Sequence, residues 1–292
     1  MIDVRNLSRQ FGDHLAVDDV SFSVRPGRMT GFVGANGAGK TTTMRMIMGV
    51  LAPTAGEVRW NGEPITADTR RTFGYMPEER GLYPRMKIRD QLVYFARLHG
   101  FSRTDASSRA DDLLEHFGLV DRADDLLDEL SLGNQQRIQI AAALIHRPSA
   151  LVLDEPFSGL DPLAVDAMVD LLRREAKDLP LLFSSHQLDL VERLCDDLVI
   201  LSGGRLVAYG PVDELRGQGA ERYRVVMDGS DAAWLRDVRG LEVRDVDGAT
   251  ALVDLDGISP TDLTRAALDH GPVVEVSRAR QPLSEIFREV IR

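Results

Sequence analysis

In the stretch "LAVDDVSFSV" the apolar residues Val20, Phe22 and Val24 occupy every second position, the pattern of a half-buried strand. "MTGFVGANGAGKTTTMRMIMGVL" reads as a short buried strand, a glycine-rich turn and a helix. "GEVRWNGEPI" predicts a hairpin that turns at Asn61-Gly62, because both residues tolerate positive φ. From about residue 82 to 147 the spacing becomes helical. "RDQLVYFARLHG" closes on Gly100 and "SSRADDLLEHFG" on Gly118, each glycine standing where a helix C-cap is expected. Two continuous apolar runs follow. "ALVLDE" ends in Asp154 and Glu155, and "LPLLFSSH" ends in His186, with the helical pattern "PLAVDAMVDLLRREAKD" between them. Strand, helix, strand in that order predicts a parallel sheet with functional groups at the carboxyl ends of its strands. "LVILSGGRLVAYG" then predicts a hairpin around Gly203-Gly204.

Beyond "PVDELRGQGA" the texture changes. "RYRVVM", "LEVRDV" and "TALVDL" read as short strands. "SPTDLTRAALDHG" reads as a helix, with Ser259 as N-cap, Pro260 at its first position and Gly271 after its end. Leu283, Ile286, Phe287, Val290 and Ile291 share one face of a terminal helix. The division expected is a large α/β domain over residues 1–217, with its helical part at about 82–147, and a small α+β domain over 218–292.

Composition narrows the class. The chain has 292 residues, 43% hydrophobic and 28% charged, enough for a real core. Its formal net charge of −11 argues against nonspecific nucleic-acid binding, which needs basic fields. Cys195 is the one cysteine, so no intrachain disulfide forms, and its helical apolar setting predicts a core residue. The start lacks the apolar stretch of a signal peptide, and no run reaches the roughly 18 apolar residues that span a bilayer. The expectation is a cytoplasmic protein, with any membrane role exercised through a partner.

The chemistry starts at "GANGAGKT", residues 34–41, which matches G-x-x-x-x-G-K-[ST]. Gly34, Ala35, Asn36, Gly37, Ala38 and Gly39 form a loop whose N–H groups can turn inward onto phosphate oxygens. The helix that follows adds its positive end. Lys40 is expected to reach the terminal phosphates, and the Thr41 hydroxyl, with Thr42 beside it, is placed for Mg²⁺ and phosphate. Asp154 closes a buried strand and can hold Mg²⁺ through its water shell. The adjacent Glu155 can polarise an attacking water as general base. Upstream of "RIQIAAAL", the segment "LSLGNQQ" carries Ser131 as a helix N-cap with Asn134 three residues on.

Phosphate loop, "LSLGNQQR", "LVLDEPFSGLD" and "SSH", in this order, resemble the nucleotide-binding subunit of an ATP-binding cassette (ABC) transporter over residues 1 to about 215. The fold this implies is an α/β, P-loop NTPase ABC ATPase domain: a parallel core sheet, an antiparallel β subdomain and a helical subdomain. By the resemblance Phe11 stacks on adenine with Val17 beside it. Lys40, Glu155 and His186 are catalytic, His186 touching the γ-phosphate. Thr41, Asp154 and Glu78 are the metal ligands. Ser131, Leu132, Gly133, Asn134 and Gln135 form a signature that meets ATP from the opposite subunit. Ser158, Gly159, Leu160 and Asp161 form the loop that crosses the dimer interface.

Two departures stand out. The family signature is LSGGQ, and here Leu132 and Asn134 replace a glycine and the glutamine. The family usually has glutamine where Glu78 stands; a carboxylate still offers Mg²⁺ an oxygen, with added negative charge. "PEERGLYP" and the "PLSEIFREVIR" ending resemble ABC-2 type exporters of the sodium-efflux and drug-resistance lineage. The resemblance therefore implies an ATPase that drives export. Its cofactors are ATP and Mg²⁺, and its partners a second copy of itself and a separate membrane permease at the inner face of the cell membrane.

Rival classes are weaker. A cassette ATPase acting on ribosomes resembles two cassettes in one chain, whereas one phosphate loop is present here. A DNA-acting one inserts a coiled coil or zinc module between Lys40 and Asp154, for which there is neither room nor cysteine. A GTPase would need Asn-Lys-x-Asp, which is absent.

Overall fold

A computed structural model describes residues 1–79, 81–217, 221–279 and 283–287. The chain forms two compact units, Met1–Val212 and Asp213–Arg288.

In chain order the first unit runs β1 (Ile2–Phe11), β2 (His14–Val24), β3 (Met29–Val33), α1 (Lys40–Ile47), β4 (Ala55–Trp60), β5 (Glu63–Pro64), α2 (Ala67–Arg71), β6 (Phe73–Met76), α3 (Ile88–Leu98), α4 (Arg103–His116), α5 (Leu132–Leu144), β7 (Ala150–Leu153), α6 (Pro162–Glu175), β8 (Leu181–Ser185), α7 (Leu188–Leu194), β9 (Asp197–Ser202) and β10 (Arg205–Pro211). A short helix α8 (Val212–Arg216) follows.

These strands make two sheets. One is antiparallel, in the order β2-β1-β4-β5. The other runs β10-β9-β3-β8-β7-β6, parallel from β9 to β6, with β10 added antiparallel at one edge. The parallel strands are the continuous apolar runs, and β3, β7 and β8 are buried at every position.

Helix α1 has three consecutive threonines and little intrinsic helix propensity. Tertiary burial holds it: Met44, Met46 and Ile47 join Phe22, Phe32, Val58, Val152 and Leu182 in one apolar core. Burial of each such side chain contributes about 1.5–3 kcal/mol. The lower end of the parallel sheet is pinned by Asp197, fully buried and gripped by Arg25 and Arg28 at 2.7 and 2.6 Å. Burial pushes its carboxyl pKa up, but the hydrogen bonds from Arg28 and Arg25 outweigh that and hold it below the usual carboxylate range.

Helices α3, α4 and α5 carry the expected helical part. Gly100 and Gly118 stand just past the ends of α3 and α4, both with positive φ. Cys195 caps the C-terminus of α7, and burial raises its thiol pKa well above the ordinary value.

The second unit holds β11 (Arg222–Met227), β12 (Leu241–Asp247), β13 (Thr250–Leu255), α9 (Pro260–His270), β14 (Val273–Arg278) and α10 (Leu283–Ile286). Its sheet has the order β12-β13-β11-β14, with every neighbouring pair antiparallel. That is a split β-α-β arrangement in which the first crossover is the 3-10 turn Ala233–Asp237 instead of a full helix. Val225, Met227, Leu235, Ala251, Val253, Leu263 and Ala267 form its core. The sequence pattern missed β14, whose residues show no clean alternation of buried and exposed positions. Ser259 and Pro260 start α9 as expected, but Gly271 leaves it with φ 169, an extended conformation instead of a left-handed cap. Of the expected terminal helix, Val290 and Ile291 lie outside the described residues.

Candidate nucleotide site

The site lies at the carboxyl end of the parallel sheet. Strand β3 ends at Val33 and α1 begins at Lys40, and the chain between them curls into a loop. Gly39 is the N-cap of α1, with φ 99 and ψ 4. A Cβ there would stand 2.7 Å from the carbonyl oxygen of Ala16, so no side chain fits and the left-handed turn is open only to glycine. The start of α1, Lys40, Thr41 and Thr42, lines an open cavity of about 390 Å³, and the first turn of a helix carries N–H groups without intrahelical partners.

Phe11, His14, Ala16, Asn36, Gly37, Gly39, Lys40, Thr41, Thr42, Glu78 and Glu155 line that cavity. Most residues expected there are thus brought together. Gly34 and Ala35 contribute backbone carbonyls, which accept hydrogen bonds from Lys40 Nζ at 2.7 and 3.2 Å. Ala38 is buried beneath the loop. Burial lowers the Lys40 pKa below the ordinary lysine value, while Glu155, Asp154 and Glu78 act in the opposite direction.

Val17 is fully buried, its Cγ2 3.1 Å from the point that a Cβ on Gly39 would occupy, so it packs beneath the phosphate loop while its strand neighbours His14 and Ala16 line the cavity. Phe11 is 44% exposed, with the Arg9 guanidinium 4.5 Å from its ring centroid.

The carboxylates come from the end of β7. Asp154 is fully buried; its Oδ1 accepts a hydrogen bond from Ser184 Oγ at 2.5 Å, and its Oδ2 has no partner among the described residues. Ser184 Oγ in turn accepts from the Glu155 N–H at 2.8 Å. Ser184 was not singled out in the sequence, since a serine inside "LLFSS" looks like strand composition; its burial among apolar neighbours was the available signal. Glu155 has φ 51, a left-handed conformation for a non-glycine residue. Its Oε2 lies 3.1 Å from Nδ1 of His186, just past the end of β8.

Whether these residues fit Mg²⁺ can be tested on their chemistry. The Asp154 carboxylate, the Thr41 hydroxyl and the Glu78 carboxylate are hard oxygen donors, and Asp154 Oδ2 is a buried acceptor with nothing to accept. They fit. Among the described residues no cluster of His, Cys, Asp or Glu side chains is arranged to hold a metal by itself. Mg²⁺ is commonly held by one or two protein groups together with substrate phosphates.

The remaining predicted residues gather elsewhere. Ser131 is the N-cap of α5, its hydroxyl accepting from the Asn134 N–H at 3.4 Å. Leu132, Gly133, Asn134 and Gln135 are the helix's first turn, and Gln135 Nε2 donates to the Leu130 carbonyl at 2.9 Å. Ser158, Gly159 and Leu160 form the loop after Glu155, and Asp161 caps α6 by accepting from the Ala164 N–H at 2.9 Å. Neither segment belongs to the wall of the cavity.

Comparison with known proteins identifies the family. The sequence model of the ABC transporter family matches residues 17–158. The uncharacterised ABC transporter ATP-binding protein YhaQ of Bacillus subtilis (strain 168) is 41% identical over 242 residues, covering 82% of this chain and 81% of the relative. Nod factor export ATP-binding protein I of Burkholderia lata is 38% identical over 240 residues, covering 81% of this chain and 79% of the relative. A solved structure of the ATP-binding subunit of an ABC transporter superposes with a TM-score of 0.67 at 36% identity, covering 75% of this chain and 92% of that one.

Proposed function

This chain belongs to the ABC transporter family, as an ATP-binding subunit that hydrolyses ATP, and on that premise we propose that it powers export through a separate membrane permease. Two copies face head to tail. Each ATP lies between one copy's phosphate loop and the Ser131–Gln135 segment of the other. The observation that carries this reading is the convergence of Lys40, Thr41, Glu78 and Glu155 on one cavity, backed by the unpartnered Asp154 oxygen.

The roles follow from position. The loop N–H groups and the start of α1 bind the phosphates, and Lys40 exchanges its bonds to Gly34 and Ala35 for phosphate oxygens. Phe11 offers its open face to the base. Asp154, Thr41 and Glu78 hold Mg²⁺, which when bound neutralises phosphate charge. Glu155 takes the proton of the attacking water, and His186, 3.1 Å away, fixes the carboxylate's direction. Lys40 and His186 stabilise the charge developing on the transferred phosphoryl group.

Export as the direction is supported by the Nod factor export relative. No helix among the described residues is long and apolar enough to cross a membrane, which supports a separate permease. The proposed location is the cytoplasmic side of the cell membrane, against that permease, with α3–α5 as the contact surface. A cassette ATPase acting on ribosomes or nucleic acid fits less well, since the relatives are transporter subunits and the net charge is −11.

The test is Glu155→Gln. Turnover should fall by at least about 100-fold, with ATP binding retained and an ATP-dependent dimer accumulating in analytical ultracentrifugation. Undiminished hydrolysis, or a monomer at saturating ATP, would overturn the reading.

A further inference from the structure

We propose that Leu132 and Gln136 are positioning residues that fasten the Ser158–Asp161 loop to the start of α5, so that loop and signature segment move as one body. Its consequence for turnover rests on the head-to-tail reading above; the contacts themselves do not.

The argument begins with helix spacing. Leu132 and Gln136 are four residues apart in α5 and share one face, a turn apart. That face lies against the loop. A Cβ built on Gly159 would stand 2.8 Å from Leu132 Cδ2, so the leucine fills the space above the glycine. Gly159 has φ 76, which brings the loop backbone close to the helix. One turn on, the buried Gln136 donates from Nε2 to the Ser158 carbonyl at 2.7 Å. Beside them Leu160 Cδ2 stands 3.4 Å from the point a Cβ on Gly133 would occupy. Three successive loop residues are thus each matched to the first turns of α5.

The fastening also reaches the chemistry. The Ser158 N–H donates to the Glu155 carbonyl at 3.2 Å, and Glu155 Oε2 meets His186. A displacement of α5 is therefore passed through Gln136 and Ser158 to the backbone of Glu155. This gives the departure from LSGGQ a purpose. A glycine at position 132 has no side chain to cover Gly159, whereas leucine has one of the right length.

The experiment uses the full chain and compares Leu132→Gly, Leu132→Met, Gln136→Leu and the double variant Leu132→Gly/Gln136→Leu. Hydrogen exchange is followed on the peptide spanning residues 155–161, without nucleotide, alongside steady-state ATPase. The expected result is faster exchange of the loop amides in Leu132→Gly and Gln136→Leu, greatest in the double variant, with Leu132→Met like the parent. In Leu132→Gly, Gln136→Leu and the double variant kcat should fall about threefold to tenfold, while KM for ATP moves less than about twofold. Exchange unchanged in the double variant, faster exchange with kcat unchanged, or an effect on KM alone would each overturn the proposal. If the double variant does not fold, the single variants and Leu132→Met decide it on the same readouts. Failure of the head-to-tail reading is seen separately, as absence of an ATP-dependent dimer in Glu155→Gln, which leaves the exchange result untouched.

Discussion

The guanidinium of Arg9 lies over the ring of Phe11, 4.5 Å from its centroid. Arg9 is itself anchored, with Nη1 donating to the Ala52 carbonyl at 2.8 Å. One face of the ring is therefore occupied, and the cavity the residue lines is where the proposed stacking on a base would occur. Phe11→Ala should weaken ATP binding by about 5- to 30-fold, the equivalent of roughly 1–2 kcal/mol of stacking. Arg9→Ala should weaken it less, in the same direction. Titration of a fluorescent ATP analogue separates the two; equal affinity in Phe11→Ala would remove the ring from the base site.

Gly133 is the second residue of α5, where the helix's unsatisfied N–H groups face outward. Gly133→Asp would place a carboxylate against the γ-phosphate expected there and push on Leu160. ATP-driven dimerisation should be lost, with ATP binding by the monomer kept. Sedimentation with and without ATP checks this, and persistence of the dimer would reduce the segment to a helix cap.

Gly159 combines φ 76 with Leu132 close above it. Gly159→Ala should destabilise the first unit by about 1–2 kcal/mol through the left-handed backbone alone, with a further cost from displacing Leu132. In Leu132→Ala the second part disappears and the first remains. A double-mutant cycle from urea unfolding should therefore show coupling between the positions; strict additivity would mean that the leucine moves aside freely.

His99 and His146 stack with ring centroids 3.9 Å apart. Burial, and then the neighbouring His99, lower the His146 pKa to about 4, against 6.5 in an unfolded chain. Since the folded pKa is the lower one, the unfolded chain binds the proton first as pH falls. The associated stability is present above pH 6.5 and is lost on descending towards 4. Both ring nitrogens are buried without a partner among the described residues, so the loss can approach the roughly 3 kcal/mol of the full shift. His146→Phe should flatten the pH dependence of urea unfolding in that window, and an unaltered slope would assign it to other groups.

What could be read in advance divides along physical lines. Gly34 to Thr42, Asp154, Glu155 and His186 were legible because their chemistry demands fixed residue types at the ends of strands that announce themselves as apolar runs. For Val17 the motif match gives a neighbourhood, and strand alternation turns the side chain inward beneath Gly39 while Ala16 faces the cavity. Ser184 was hidden because a hydroxyl joining Asp154 to the Glu155 backbone is a relation between strands far apart in sequence. Strand β14 was missed because a two-sided edge strand, with Val274 at 65% exposure, shows no clean alternation. The contact between Leu132 and Gly159 was invisible for the same reason: substitution of a glycine looks like damage until its long-range neighbour is seen.

The left-handed backbone of Glu155 carries a consequence for anyone who would improve this protein. A side chain held there opposes folding by about 1–2 kcal/mol relative to glycine. Selection for heat tolerance alone would favour glycine or asparagine at that position, and on the role proposed for Glu155 the hardiest descendants would be those that no longer turn over.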